Sequence, residues 1–272
     1  MKSVKELKSA VQNMRKDILR LAFNAGKQGA HIGPSLSVVE LLAVLYGRIL
    51  KYRVGDPTWF ERDRFLLSKG HSALAFYTAL EMNGIITRED LMTFENNAGM
   101  FPGQPLKNIE KGIEISSGSL GHGLAWGVGI SLGIKRKSIN ANVYVLLGDG
   151  ECDEGSVWES AMSATNFELN NLIAIVDRNG MQSDGATKDI LDIPGFDKIW
   201  EAMGWNVITT DGHKIEALID AFSKIPNNDY PSVVIANTVK GKGISFMENN
   251  VDWHHNYLNQ ELLELALSEL DY

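Results

Sequence analysis

Apolar residues along the chain follow two rhythms. Near the start, Leu7, Val11, Met14, Ile18 and Leu21 are separated by alternating steps of four and three, which places them on one face of an α-helix. A stretch of small residues at 26–35 interrupts that rhythm and carries His31. Ser37 and Glu40 then form a capping-box pattern ahead of Leu41, Leu42, Val44 and Leu45, which predicts a new helix start. The second rhythm consists of short apolar runs at 64–68, 143–147, 172–176 and 233–236, of the kind a strand buried on both faces shows. Helical character returns between the runs, at 73–83 with Gly84 as a stop, at 156–167 and at 214–223. Strands alternating with helices predict an α/β fold: a three-layer sandwich with a mainly parallel sheet flanked by helices.

Residues 96–118 hold two prolines and several glycines and read as a long surface loop, a feature that in compact domains tends to serve function. No repeat, low-complexity tract or linker divides the chain, so residues 1–272 read as a single domain.

Composition narrows the classes. A formal net charge of −8 excludes general nucleic-acid binding, which needs a dense positive surface. The basic cluster Lys135-Arg136-Lys137 reads as a solvated helix end. Cys152 is the only cysteine, so an intrachain disulfide is impossible and a reducing, cytoplasmic setting is expected. No apolar run approaches the roughly 18–20 residues of a membrane span, and no signal core follows the N-terminus.

Candidate chemistry begins at Gly148-Asp149-Gly150, directly after the run at 143–147. In open parallel sheets ligands bind beyond the C-terminal strand ends. Two glycines allow close backbone approach, a following helix start favours an anion, and Asp149 offers a hard carboxylate for Mg²⁺ or Ca²⁺. Alone, the triplet also fits a plain turn. The run at 172–176 ends in Asp177-Arg178-Asn179-Gly180, so Asn179 lies beyond a second strand. If the two strands are neighbours, Asp149 and Asn179 open on one crevice and could share a cation; an Asn-Gly turn is the plainer alternative.

Gly148-Asp149-Gly150, a helix and then Asn179 resemble the thiamine diphosphate signature, and the surroundings resemble transketolase. The supporting motifs are Gly-Ala-His-Ile-Gly-Pro-Ser-Leu-Ser (29–37), Ser-Lys-Gly-His (68–71), Gly-Ser-Leu-Gly-His-Gly (118–123), Gly-Asp-Gly-Glu-Cys-Asp-Glu-Gly (148–155) and Lys-Gly-Lys-Gly (240–243), in the family's order. The resemblance reaches the His254-His255 pair and so covers most of the chain.

It implies a thiamine diphosphate-binding fold of the diphosphate type and transfer of a two-carbon ketol unit from a ketose or ketose phosphate to an aldose. It implies Asp149, Asn179 and the Met181 carbonyl as ligands of Mg²⁺ or Ca²⁺, and the backbones of Gly150 and Glu151 as diphosphate donors. His71 would contact the diphosphate side, Gly118 and Leu120 the pyrimidine pocket, and Asp177 would lie near the cofactor. His31, His71 and His255 would be catalytic, with His31, Gln104 and His255 facing substrate and His255 also the cofactor. Glu154 would couple paired active sites across an interface. Cys152 reads as a small filler.

The matching region lacks the pyrimidine-binding domain and its activating glutamate. A partner subunit carrying that domain is therefore expected, in an α2β2 assembly. Two departures bear on substrate. Gln104 stands where most transketolases have a histidine and cannot titrate near neutral pH. The family's terminal His-Gly pair reads His255-Asn256, with His254 beside it leaving the alignment open. The alternatives are the α subunit of a 2-oxo acid dehydrogenase, a deoxyxylulose-phosphate-synthase-like enzyme, and a non-catalytic cofactor-binding homologue.

Overall fold

The computed structural model describes residues 1–97 and 99–271. In chain order the elements are α1 (Val4–Asn24), α2 (Ile32–Leu36), α3 (Val39–Val44), β1 (Arg64–Leu67), α4 (Ala73–Met82), α5 (Arg88–Leu91), α6 (Gly123–Arg136), β2 (Val143–Gly148), α7 (Gly155–Asn166) and β3 (Leu172–Arg178). Then come α8 (Thr187–Ile190), α9 (Phe196–Ala202), β4 (Asn206–Asp211), α10 (Ile215–Ser223), β5 (Ser232–Asn237) and α11 (Gln260–Glu269).

The strands form one parallel sheet in the order β1-β2-β3-β5-β4. Side chains alternate across it. Phe65, Leu67, Tyr144, Leu146, Ile173, Ile175 and Val234 enter a core shared with α1, α3, α4, α10 and α11. Leu66, Val145, Leu147, Ala174, Val176 and Ile235 enter a second core with α6, α7 and α9. Each fully buried aliphatic side chain contributes about 1.5–3 kcal/mol, so the unbroken apolar runs are what a sheet covered on both faces requires. The chain steps in one direction through β1, β2 and β3, then passes to the edge at β4 and returns inward to β5. Right-handed crossovers put helices on opposite faces when that direction reverses, which is why α10 lies across the sheet from α7 and α9.

The periodic face of the first helix is buried as expected, from Leu7 to Leu21. Gly84 adopts φ +70° just beyond α4 and ends it. Lys135 and Arg136 occupy the last turn of α6, exposed.

Two expectations are corrected. The capping box at Ser37 and Glu40 does not form: α3 begins after Val38 with no side-chain cap. Ser37 is fully buried and donates to Asp177 instead, while Glu40 is drawn to Arg15 and His213. A capping box does form at Ser3 and Glu6, where both residues are open to solvent and have no stronger partner. Apolar patterning also misses β4, a half-exposed edge strand without a continuous apolar run. Among the described residues no helix is long and apolar enough to cross a membrane.

Candidate functional site

β2, β3 and β5 are adjacent, so the segments leaving their C-terminal ends converge on one crevice. Gly148 pairs with Asp177 at the last register of β2 and β3, so Asp149 and Asn179 follow neighbouring strand ends and line the same crevice. The Asp149 carboxylate accepts the Gly180 N–H at 2.6 Å and the Gly150 N–H at 2.9 Å. Asn179 donates its amide N–H to Asp177 at 2.9 Å, and its Oδ1 accepts the Met181 N–H at 3.0 Å. That pairing fixes the amide orientation, because only the NH₂ side can donate to a carboxylate.

Asp177, expected near the cofactor, meets the crevice through Asn179. It is 0% exposed and lies beneath the crevice. Its carboxylate accepts from Ser37 at 2.7 Å, from Asn179, and from Lys69 and Thr238 at shorter range. Its acceptor positions are filled by protein donors, one of them the Asn179 amide that it orients. Burial works against its charge, yet the Lys69 ammonium and these donors hold the carboxyl below the usual range. Glu151 is similarly internal: its carboxylate accepts from Ser68, from Gly121 N–H at 2.9 Å and from Gly148 N–H at 3.0 Å, tying the glycine-rich 118–123 segment to the end of β2.

The crevice encloses about 190 Å³ and is lined by Asp149, Gly150, Glu151, Asn179, Met181, Gly118, Leu120, His31, His71, His254, Lys69 and Lys240. Burial, and then the nearby Asp177 charge, push the Asp149 carboxyl up to about 6. A buried carboxylate with only two N–H donors and no ion-pair partner among the described residues suits a bound cation. The accompanying oxygens, Asn179 Oδ1 and the Met181 carbonyl, are hard donors of the type Mg²⁺ and Ca²⁺ prefer. Beside them, Lys240 Nζ donates to the carbonyls of Gln182 (3.0 Å) and Met181 (3.2 Å) and lies 2.8 Å from His254 Nδ1. Burial and the neighbouring Lys69 lower the Lys240 amine to about 8. Residues and charges therefore fit a divalent ion holding a diphosphate.

A second cavity of about 310 Å³ adjoins the first and shares His31, His71 and Gln104 with it. The His31 and His71 rings lie 5.7 Å apart, and His255 packs edge-on to His31 at 4.5 Å. Burial, then His255 and Lys240, lower His31 to about 4. Burial, then Lys240, lower His254 to about 3, and His71 is pushed well down by burial and Lys69. These three rings are thus neutral at neutral pH, and each can both donate and accept. Of the paired histidines, His254 lines the crevice and His255 lines the outer cavity. Gln104 Oε1 and Ser117 Oγ are buried without hydrogen-bond partners among the described residues, Gln104 where the two cavities meet.

Glu154 stands outside both cavities, exposed at the start of α7. Cys152 is fully buried behind the crevice, and burial raises its thiol well above the usual value. Another cavity, about 220 Å³ and lined by Tyr46, Tyr52, Arg62 and Glu114, shares no residue with the crevice. Lys69 and Lys240 fall within the sequence motifs, but nothing in the spacing gives them a place in the site. Thr238 carries no signal beyond following a strand.

The family model described as "Transketolase, thiamine diphosphate binding domain" matches residues 8–271. The chain belongs to the transketolase family. It is 42% identical to an apulose-4-phosphate transketolase subunit of Actinobacillus succinogenes, across 98% of this chain and 97% of that one. It is 39% identical to a 6-deoxy-6-sulfo-D-fructose transketolase subunit of Clostridium sp. strain MSTE9, across 90% of each. The structure superposes on transketolase from Leishmania mexicana with TM-score 0.89 and 26% identity, covering 100% of this chain and 42% of that one. The chain thus spans about two fifths of that transketolase and nearly the whole of the subunit-sized relatives. The three-layer α/β fold and the thiamine diphosphate-binding domain read from the sequence are those of this family.

Proposed function

We propose that this chain is the diphosphate- and metal-binding subunit of a split transketolase. With a partner it transfers a two-carbon ketol unit from a ketose, or ketose phosphate, to an aldose. The observation that carries the reading is the convergence of Asp149, Asn179 and the Met181 carbonyl on one crevice at neighbouring strand ends. In this reading those three groups hold Mg²⁺, or Ca²⁺ in its place, and the Gly150 and Glu151 backbone with Lys240 and His254 receives the diphosphate. Gly118 and Leu120 flank the pyrimidine. Thiamine diphosphate, when bound, supplies the nucleophilic carbon and the electron sink for C–C bond cleavage.

The remaining work falls to this chain's side chains. His31, His71 and His255, close-packed around the outer cavity, hydrogen-bond substrate hydroxyls and carbonyl and accept or return protons there. Gln104 orients substrate at the mouth shared by the two cavities without exchanging protons. The relatives' names carry apulose-4-phosphate and a sulfo-deoxyfructose, which supports a substrate outside the usual pentose and hexose phosphates.

The partner bears the pyrimidine-binding domain and assembles with this chain as α2β2, a reading supported by the relatives designated subunits. Leu120, Trp126 and Met162 are exposed on and beside α6 and α7, the helix that begins after Glu154, and give an assembly an apolar face to cover. Glu154 would couple paired active sites across that interface. Residues 1–272 act as one domain in a cytoplasmic enzyme, in keeping with a single buried cysteine.

Asp149→Asn tests the assignment with little change of shape. Titration calorimetry on the co-purified complex should show Mg²⁺-dependent thiamine diphosphate binding for wild type and at least a hundredfold weaker binding for the variant. Ketol transfer, rather than 2-oxo acid decarboxylation, should follow from a substrate screen. Unchanged affinity in the variant, or wild-type protein that binds no cofactor, defeats the proposal.

A further inference from the structure

His213 has no part in the reading above, yet it sits where three segments meet. It lies in the turn after β4, at the same end of the sheet as the crevice. Its Nε2 accepts the Val239 N–H at 2.8 Å. A backbone amide can only donate, so Nε2 carries no proton and the neutral ring holds its proton on Nδ1. Nδ1 lies 3.2 Å from Glu40 Oε2. Glu40 is buried and gripped by Arg15, at 2.7 Å through Oε1 and 2.9 Å through Oε2.

The same Arg15 donates through Nε to the Lys242 carbonyl at 3.1 Å. Residues 239–242 are therefore clamped at both ends, by His213 on the Val239 N–H and by Arg15 on the Lys242 carbonyl. A third tie joins Gly241 N–H to the Gly33 carbonyl at 3.1 Å, with Gly241 at φ +79°. Inside the clamp sits Lys240, 1% exposed, the residue that reaches the Met181 and Gln182 carbonyls and His254. The ties at either end come from one network, so Glu40 couples them.

We propose that His213 is a positioning residue for the crevice: through the Val239 N–H, with its tautomer set by Glu40, it aims Lys240 at the diphosphate side. The inference rests on the reading that the crevice binds thiamine diphosphate. It differs from general scaffolding because only one of the ring's two hydrogen bonds points toward Lys240. Removing the Nε2 acceptor frees the 239–242 segment at its leading end. Removing the Nδ1 donor disturbs the Arg15–Glu40 pair but leaves Val239 held.

Two substitutions separate these contacts. In His213→Gln the Oε1 atom stands near the Nε2 position and still accepts from Val239. In His213→Asn the amide reaches Glu40 but falls short of Val239. Thiamine diphosphate is titrated with Mg²⁺ into the complex of this chain with its partner, followed by intrinsic tryptophan fluorescence. The Asn variant is expected to bind about tenfold more weakly, the worth of one well-placed hydrogen bond, and the Gln variant within about threefold of wild type. In the cofactor-free complexes, Lys240 should react faster with limiting acetic anhydride in the Asn variant than in the Gln variant, read by mass spectrometry. Thermal midpoints of the two variants should agree to within a few degrees. Equal cofactor affinity and equal Lys240 reactivity in the two variants overturn the proposal. So does weakened binding that follows the loss of thermal stability rather than the loss of the Val239 contact. Failure of the wild-type complex to bind cofactor would instead strike the underlying function, so the two failures are distinguishable.

Discussion

Replacing Lys69 with methionine removes one charge from the wall of the crevice while nearly conserving side-chain volume. Lys69 and Asp177 are 1% and 0% exposed, so neither has water to fall back on. Asp177 would keep its hydrogen bonds from Ser37, Thr238 and Asn179, which are neutral donors and cannot balance a buried negative charge. Breaking a buried pair from one side costs about 3–5 kcal/mol, because the stranded charge loses its partner without regaining its hydration. For a chain of this size that corresponds to a fall in melting temperature of roughly 10 °C. The cost belongs to the isolated charge, not to the pair as such. The double variant Lys69→Met/Asp177→Asn should therefore recover about 2 kcal/mol or more of it. Urea unfolding followed by tryptophan fluorescence measures all three proteins. A loss below about 1 kcal/mol in the single variant, or no recovery in the double, would show that the pair does not hold Asp177 charged.

Two further substitutions probe the frame around the site. At Gly123 an added Cβ would stand 2.8 Å from the Ser68 Cα, a backbone atom that cannot swing aside. Gly123→Ala should lose about 1–3 kcal/mol in the same unfolding assay, and an unchanged midpoint would mean that the start of α6 has slack. Glu40 is buried, but its hydrogen bond with His213 and the Arg15 charge outweigh that burial and hold its carboxyl below the ordinary 4.5. A depressed carboxyl contributes stability that is complete above its unfolded value and is lost as pH falls through its lower folded value. Stability measured between about pH 5 and 3 should therefore fall less steeply in Glu40→Gln than in wild type, and parallel slopes would refute the assignment.

The sequence by itself determined the architecture and the place of the chemistry. Unbroken apolar runs such as 143–147 and 172–176 are compatible with few environments other than a doubly covered parallel sheet, and the chain ends of such strands are where ligands sit. From that, Asp149 and Asn179 were legible as facing one crevice. What the sequence could not carry was the outcome of competition between partners far apart in the chain. Ser37 and Glu40 match a helix-capping pattern locally. Burial beside Asp177 and Arg15 offers each a charged partner, and a charge-assisted bond outcompetes a neutral cap. Ser3 and Glu6, with no such rival, take the cap.

The same distinction applies at the crevice. Asp177 sits two residues before Asn179 in sequence, and only three-dimensional packing reveals that Lys69, Ser37 and Thr238 enclose it and leave it no open face. Side-chain direction likewise divides His254 from His255, which spacing alone cannot separate. β4 leaves no apolar signature because none of its residues is fully covered, whereas β1 at the opposite edge buries Phe65, Leu66 and Leu67 and shows the run. Periodicity records which faces are buried, whereas the identity of a buried polar partner is decided by contacts that only the folded chain brings together.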